Sequence, residues 1–256
     1  MSRLQVLGSN APCLHTEAIA SLTALFEGGS KFSNRIIQLS AEAVSCDGKK
    51  VGADFNKLVF TTQPISKHAY DVHKISAAML RGKDGMDVVG AEFVRWLEPL
   101  VAGKKRVVLV AHNGFNCDFR MLSAELQRHG LELPGGVEWM LLDTLTVIKK
   151  VDSLDYHKAP VAVWPERNKL TKDQKKKGDT FQRPSLNLKS VTNYILSTRQ
   201  LYKQEWVGDT PPTFNTYCGQ AHDALADTRA LRVMLTDPQG LWSRRGNMLL
   251  RGLGAF

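Results

Sequence analysis

Two short segments of this 256-residue chain combine acidic side chains with histidine at spacings that could support chemistry. Residues 111–119 read AHNGFNCDF and place Asp118 shortly after a glycine turn. Residues 221–231 read AHDALADTRAL and place Asp227 five positions after His222. Carboxylate oxygens are ligands that Mg²⁺ prefers, and histidine exchanges a proton near neutral pH. The two segments therefore predict a site where carboxylates hold a metal while an imidazole handles a proton.

The spacing within the second segment indicates how its residues are arranged. Five residues of helix rotate by about 500°, so His222 and Asp227 would not share one helical face. We therefore expect His222 on the loop that enters a helix, with Asp227 one turn inside it. Asp223 competes as a ligand, because it lies four residues before Asp227 on the same face. It also suits an ordinary capping role, so we favour Asp227.

Asp118 has two interpretations on the residues alone. It would lie in the first turn of the helix that follows the apolar run VVLVA at 107–111. An acid there is stabilised by the helix dipole without any ligand. In an open α/β sheet, however, ligands bind at the carboxyl ends of the strands, which is where Asp118 would lie.

Apolar periodicity predicts the elements that would position these residues. Strands are expected at 35–45, 54–61, 107–111 and 139–142. Helices are expected at 86–100, from 119 to near Gly130, at 186–196 and at 221–235. The first two strands would form a hairpin, and strands then alternate with helices. The sequence therefore predicts an α/β fold with one mixed central sheet flanked by helices.

We expect the whole chain, 1–256, to form a single domain. The motifs lie within about 13–236, and the tail at about 237–256 has no assignment. A polar, lysine-rich stretch at about 155–184 interrupts the pattern, and helical periodicity resumes after it. This stretch therefore predicts a surface insertion rather than a linker between domains.

The bulk composition favours an intracellular protein with a polyanionic partner. The formal net charge is +9, and basic proteins bind nucleic acids partly because neutralised phosphates release counterions. The four cysteines are scattered singly, so neither a zinc site nor a disulfide framework is expected. No apolar run approaches the roughly 20 residues that span a bilayer. We therefore expect no membrane partner and a location in the cytoplasm or the nucleus.

Several segments resemble one enzyme family. The stretch VVLVAHNGFNCDFRMLSAELQRHGLELP at 107–134, followed by LLDTL at 141–145, resembles the second motif region of the three-prime repair exonucleases. These are DEDDh-type 3′–5′ exonucleases, and AHDALADTRAL resembles their third motif. The likeness runs from about Arg35 to Leu235 and implies a ribonuclease H-like fold.

The resemblance implies hydrolysis of phosphodiester bonds with two Mg²⁺ or Mn²⁺ ions, held by carboxylates about 3.5–4 Å apart. Transferred to this sequence, Asp118 and Asp227 would bind metal and His222 would be the general base. The expected substrate contacts are His112, Asn113 and Phe115. The expected substrate is the 3′ end of single-stranded or frayed DNA, with RNA as the alternative, and the products are nucleoside monophosphates. Relatives of this kind often pair, so a homodimer is a further expectation.

The first motif of this family, Asp-x-Glu at the end of the first strand, is degenerate here. In one register the strand is Ser21 to Glu27, with Glu27 as the glutamate and Leu25 in place of the aspartate. In the other, Glu17 is the glutamate and His15 replaces the aspartate. The two registers stay open, and the aspartate is absent from both.

The missing aspartate predicts a functional consequence. Its loss removes negative charge from a site that must hold two dications, so metal binding should be weak and hydrolysis reduced. The alternative function is therefore a catalytically impaired, nucleic-acid-binding pseudoexonuclease on the same fold. A protein-interaction scaffold with no nucleic-acid role is the third hypothesis.

Overall fold

The structure, a computed structural model, describes residues 17–26, 35–45, 49–151, 185–198, 200–205, 207–208, 210–236 and 251–252. For 17–26, 150–151, 200–202, 236 and 251–252 it describes the backbone alone. The predicted insertion at about 155–184 lies outside these ranges. So does the tail at about 237–256, apart from its two-residue strand.

One six-stranded sheet forms the centre of the described residues. Its strands are β1 (Glu17–Phe26), β2 (Ile36–Ser45), β3 (Lys50–Leu58), β4 (Arg106–Ala111), β5 (Glu138–Asp143) and β6 (Arg251–Gly252). Their order across the sheet is β3-β2-β1-β4-β5-β6. β1 pairs antiparallel with β2 and parallel with β4, and β4 pairs parallel with β5. The mixed sheet predicted from the sequence is therefore confirmed.

The burial of each strand follows from its place in this sheet. β4 is buried after Arg106 and β5 is buried after Glu138, because helices cover both faces of these parallel strands. β3 lies at the edge and exposes most of its residues. Its first residue, Lys50, pairs with Val44 of β2 although it gives no apolar signal. This polar start explains why the sequence predicted the strand later, at 54–61.

Helices pack on both faces of the sheet. They are α1 (Lys67–His73), α2 (Ala77–Leu80), α3 (Met86–Val101), α4 (Asp118–Arg128), α5 (Thr144–Val151), α6 (Leu188–Thr198), α7 (Phe214–Tyr217) and α8 (Ala224–Thr236), with a 3₁₀ helix at Gln200–Glu205. The four predicted helices correspond to α3, α4, α6 and α8. α3 and α4 share one apolar cluster, and α6 and α8 share the other. Among the helices in the described ranges, none has the length and apolarity required to cross a membrane.

The position of α8 decides where the segment at 221–231 lies. α8 packs across β1 and β2, and Ala226, Ala230 and Met234 are buried in the cluster that it shares with α6. These residues are four apart and therefore lie along one helical face. Ala224, the first residue of α8, donates its N–H to Gln38 Oε1, and the Cα partner of Gln38 is Leu25, the last residue but one of β1. The amino end of α8 thus lies at the carboxyl end of β1.

Candidate active site

Two carboxylates approach each other at the carboxyl ends of the parallel strands. Asp118 is the first residue of α4, follows β4 across the turn at 112–117, and is 7% exposed. Asp227 lies in the first turn of α8. Burial, together with the negative charges of Asp118 and Asp223, raises the pKa of Asp227 to about 7. The structure therefore brings together the two acids that the sequence predicted from separate motifs.

His222 lies on the loop before α8, where its spacing placed it. Its φ of 66° is in the left-handed region, and its side chain is exposed. Its backbone N–H donates to Asp227 Oδ1 at 3.3 Å, which lowers the pKa of that carboxyl and opposes the effect of burial. This bond ties the backbone of the loop that carries the imidazole to the Asp227 carboxylate.

Asp223 caps the start of α8. Its Oδ1 accepts hydrogen bonds from the Leu225 N–H at 3.1 Å and from Gln38 Nε2 at 3.0 Å. Gln38 Oε1 accepts from the Ala224 N–H at 3.3 Å. The first turn of a helix has N–H groups without intrahelical partners, and these bonds satisfy two of them. The structure thus gives Asp223 the capping role considered for it on sequence grounds.

Gln38 is a site residue that the sequence pattern did not single out. It is 7% exposed within β2, and 185 positions separate it from Asp223. Buried polar groups need hydrogen-bond partners, and Gln38 also donates to Asn56 Oδ1 at 3.1 Å. The available signal was one amide side chain inside the apolar run IIQL. Gln38 connects the sheet to the loop of His222.

Asp143 holds the turn that leads to Asp118, although no role was predicted for it from the sequence. It ends β5 and is 2% exposed. Its Oδ1 accepts from the Asn113 N–H at 2.9 Å, and its Oδ2 accepts from the Phe115 N–H at 3.3 Å. Two further N–H groups at the start of α5 also donate to Oδ1. A buried carboxylate needs such donors, and here they fix the turn to the end of β5.

His112 points into the protein rather than towards a substrate. Its Nε2 lies 2.8 Å from the carbonyl oxygen of Leu186, and its Nδ1 lies 2.8 Å from Thr144 Oγ1. Burial lowers the pKa of His112, so the neutral ring donates from Nε2 and accepts at Nδ1. Both ring nitrogens are used within the protein. This geometry fits a residue that positions the turn and does not support the predicted substrate contact.

Asn113 and Phe115 are also held by their own turn. Asn113 has a φ of 63°, and its side-chain oxygen accepts from Asn116 Nδ2 at 2.7 Å. Phe115 packs edge-on against Phe119 with 5.5 Å between ring centroids, and it lines an apolar groove beside α4. The described walls of the hollow beside His222 do not include Phe115. Their predicted roles in substrate binding therefore stay predictions.

The backbone of β1 bears on the two registers of the first motif. Leu25 is the Cα partner of Gln38, whose side chain reaches α8. Glu17 pairs at the amino end of β4, and Leu25 lies eight positions further along the strand, about 26 Å away. Position 25, and not position 17, therefore lies at the carboxyl ends of the parallel strands, where the two acids approach each other. Glu27 and His15 lie outside the described residues.

The described part of the chain contains no group of three or more His, Cys, Asp or Glu side chains arranged to hold a metal ion. The chemistry of the described pair nevertheless suits a hard cation, since carboxylate oxygens are the usual ligands of Mg²⁺. A cation between Asp118 and Asp227 would offset the repulsion that contributes to the raised pKa of Asp227.

Removing the ionisable group at position 227 is expected to stabilise the metal-free protein at high pH. The pKa of Asp227 in the folded state is about 7, above the ordinary value of 3.8. The folded state therefore keeps a proton that the unfolded state has lost. Stability falls as the pH rises from about 4 to about 7, by up to about 4 kcal/mol for a shift of this size. Asp227→Asn keeps an oxygen acceptor for the His222 N–H and should avoid this loss.

The measurement is thermal unfolding of the wild-type protein and Asp227→Asn in EDTA over a range of pH. Near pH 8 the variant should unfold at a temperature higher by on the order of 10 °C. The difference should close as the pH approaches about 4. A difference of equal size at both ends of the range would contradict the raised pKa.

Comparison with known proteins identifies a family, and two relatives match shorter parts of the chain. Residues 26–180 match the family model described as RNase_T: Exonuclease. Three prime repair exonuclease 2 of Mus musculus is 36% identical over 98 residues, which are 37% of this chain and 39% of the mouse protein. The Homo sapiens protein of the same name is 45% identical over 51 residues, which are 20% of this chain and 21% of that protein. The matches thus span less than half the length of these relatives.

Solved structures show the same fold at low sequence identity. E. coli exonuclease I in complex with a dA16 oligonucleotide matches with a TM-score of 0.58 and 14% identity, over 86% of this chain and 40% of that chain. The nuclease domain of 3′hExo, a DEDDh family member bound to rAMP, matches with a TM-score of 0.54 and 13% identity. That match covers 87% of this chain and 92% of the other. The ribonuclease H-like exonuclease fold expected from the sequence is therefore confirmed.

Proposed function

Since this chain belongs to the exonuclease family, we propose that it removes nucleotides from the 3′ ends of single-stranded or frayed DNA by metal-dependent hydrolysis. The products are nucleoside monophosphates. The observation that supports this most is the approach of Asp118 to Asp227, beside the loop of His222. An acid that only stabilises a helix start does not need a second carboxylate nearby, because two like charges disfavour each other.

Asp118 and Asp227 are the described residues that would hold a divalent cation. When bound, Mg²⁺ or Mn²⁺ activates water and stabilises charge that develops on phosphate oxygens. Two rigid elements, β4 with its turn and α8, bring these side chains to the carboxyl ends of the parallel strands. Burial is the main cause of the raised pKa of Asp227, and the negative charge of Asp118 adds to it, as expected of two carboxylates that lie near each other.

His222 is the proposed general base. Its imidazole is exposed and would accept the proton of the attacking water at a ring nitrogen. Two contacts set its position: the bond from its N–H to Asp227 and the anchoring of the following residues to Gln38. These contacts hold the backbone and leave the side chain able to rotate.

The turn at 112–117 positions Asp118 rather than reacting itself. Asp143 accepts two N–H groups of this turn, and His112 bonds at both ring nitrogens to groups outside it. The carboxylate of Asp118 is thus presented from a backbone that is anchored on both sides. Anchoring of this kind reduces the reorganisation needed when a cation and substrate bind.

Glu27 is the proposed third metal ligand, because it follows Leu25 by two residues, and position 25 lies at the correct edge of the sheet. Leucine at position 25 supplies no oxygen ligand. This observation favours a second candidate function, a pseudoexonuclease that binds nucleic acid and hydrolyses it slowly or not at all. The two functions differ in their dependence on a cation.

The test is degradation of a 5′-labelled single-stranded oligonucleotide in Mg²⁺, Mn²⁺ or EDTA, with RNA of the same sequence alongside. An exonuclease should produce a ladder from the 3′ end with either cation and none in EDTA. Circular single-stranded DNA is the matched control, since it has no 3′ end and should stay intact. Cutting of the circle would contradict an exonuclease, and binding without a ladder would favour the pseudoexonuclease.

A further inference from the structure

A hollow of about 740 Å³ opens beside His222, and its described lining includes no residue of the turn at 112–117. One wall is formed by the loop before α8 and by Gln38. The opposite wall is formed by the end of β3 and by the loops that follow α1 and α2. That wall presents three lysines, Lys57, Lys74 and Lys83.

Lys74 is the C-cap residue of α1, and its backbone N–H donates to the carbonyl oxygen of Tyr70 at 2.8 Å. Among the described residues other than glycine, three have positive φ: Lys74 at 61°, Asn113 at 63° and His222 at 66°. The last two belong to the motifs of the candidate active site. Lys74 ends α1 in the left-handed region, where glycine causes no steric conflict and is the usual residue. Lys74 and His222 line the same hollow.

The three lysines of this wall differ in whether their charge is already paired with an acid. Lys57 forms an ion pair with Glu92 at 3.0 Å. Lys74 and Lys83 are exposed and form no ion pair with any residue in the described ranges. The Lys74 ammonium lies 5.6 Å from the centroid of the Tyr70 ring, which restricts where it can lie.

Two acids also line the hollow. Asp223 is engaged by Gln38 and by the N–H of Leu225, and Asp84 is exposed beside Lys83. The Asp223 carboxylate thus faces the start of α8, whereas the ammonium groups are available to an anion in the hollow.

We propose that Lys74 and Lys83 bind phosphates of a nucleic-acid strand next to its 3′ end. The terminal phosphodiester would lie at His222, Asp118 and Asp227, and the preceding nucleotides would pass through the hollow. Ammonium groups bind phosphates without reading bases, so these contacts set the position of the strand and not its sequence. This inference rests on the proposed nucleic-acid function.

The experiment measures binding of a short single-stranded DNA in EDTA, so that hydrolysis does not interfere, at several salt concentrations. Each lysine that binds a phosphate of a single strand contributes about 0.7 to the slope of log K against log [salt]. The double variant Lys74→Met/Lys83→Met should therefore lose about 1.4 in slope and bind roughly 25-fold more weakly near 0.1 M salt. Lys74→Gly alone should lose about 0.7, and glycine adopts the φ of this position without strain, so a folding defect would not explain its loss.

Lys104→Met/Lys105→Met is the matched control, because these lysines directly precede β4 and therefore lie at the amino ends of the parallel strands. Its slope should equal that of the wild-type protein. An unchanged slope in the Lys74 variants, or an equal loss in the control, would overturn the inference and leave the proposed exonuclease standing. Absence of DNA binding by the wild-type protein in EDTA would overturn the inference, whereas absence of a ladder in both Mg²⁺ and Mn²⁺ would overturn the exonuclease. A slope loss in a protein that produces no ladder would support the inference under the pseudoexonuclease function.

Discussion

Asp118→Asn is expected to lower the rate of 3′-end removal in Mg²⁺ by about a hundred- to a thousandfold. Asp118 is one of the two described carboxylates proposed to hold a cation, and a cation there would supply several kcal/mol of charge stabilisation to the reaction. Each loss of about 1.4 kcal/mol costs a factor of ten in rate. Asparagine keeps the shape of the side chain and removes its charge. The measurement is the initial rate of shortening of a 5′-labelled single-stranded oligonucleotide.

The control for this prediction is Asp87→Asn. Asp87 lies in the first turn of α3, as Asp118 lies in the first turn of α4, but it is exposed and does not line the hollow beside His222. If Asp118 were only a helix-start acid, the two substitutions would have equal and small effects on the rate. That result would remove Asp118 from the proposed site. Where the wild-type rate is too low to measure, Asp118→Asn and Asp87→Asn are compared in a protein that also carries Leu25→Asp.

Leu25→Asp is expected to increase the Mg²⁺-dependent rate by about ten- to a hundredfold. Position 25 pairs with Gln38, which in turn bonds to the start of α8. A carboxylate there would add an oxygen ligand and a negative charge near Asp118 and Asp227, and each makes cation binding more favourable. Without metal, the added charge should lower the unfolding temperature, because it increases the repulsion among the acids. Mg²⁺ should then raise that temperature more than it does for the wild-type protein.

Two variants make this prediction specific. Leu25→Asn has nearly the shape of the aspartate variant without its charge, and it should change neither the rate nor the response to Mg²⁺. His15→Asp tests the other register of the first motif and should also have no effect. A gain in rate from His15→Asp, with none from Leu25→Asp, would contradict the assignment of position 25 to the site.

The arrangement of His222 and Asp227 could be predicted because it depends on local geometry. About 100° of rotation per helical residue excludes a common face for residues five apart, and the structure places one on the loop and the other in the first turn. The strand at 107–111 was equally predictable, because a parallel strand buried on both faces requires an unbroken apolar run. The resemblance of 107–134 and 221–231 to exonuclease motifs then pointed to the fold.

Other parts of the site depended on contacts that no local pattern reports. Asp143 accepts the N–H groups of a turn that lies 30 positions earlier, and the order of β4 and β5 in the sheet alone puts the two together. The start of β3 was also mispredicted, since pairing with β2 formed the strand where the side chains gave no apolar signal.

The sequence by itself determined which residue types are present in each motif, the period of each strand and helix, and the absence of aspartate from both registers of the first motif. Only the tertiary structure decided that Gln38 holds the loop of His222 across 185 positions, that His112 faces inward, and that position 25 rather than position 17 lies beside the acids. The physical reason is that strand register sets these distances. A shift of one residue in the pairing would turn every side chain of a strand to the other face of the sheet.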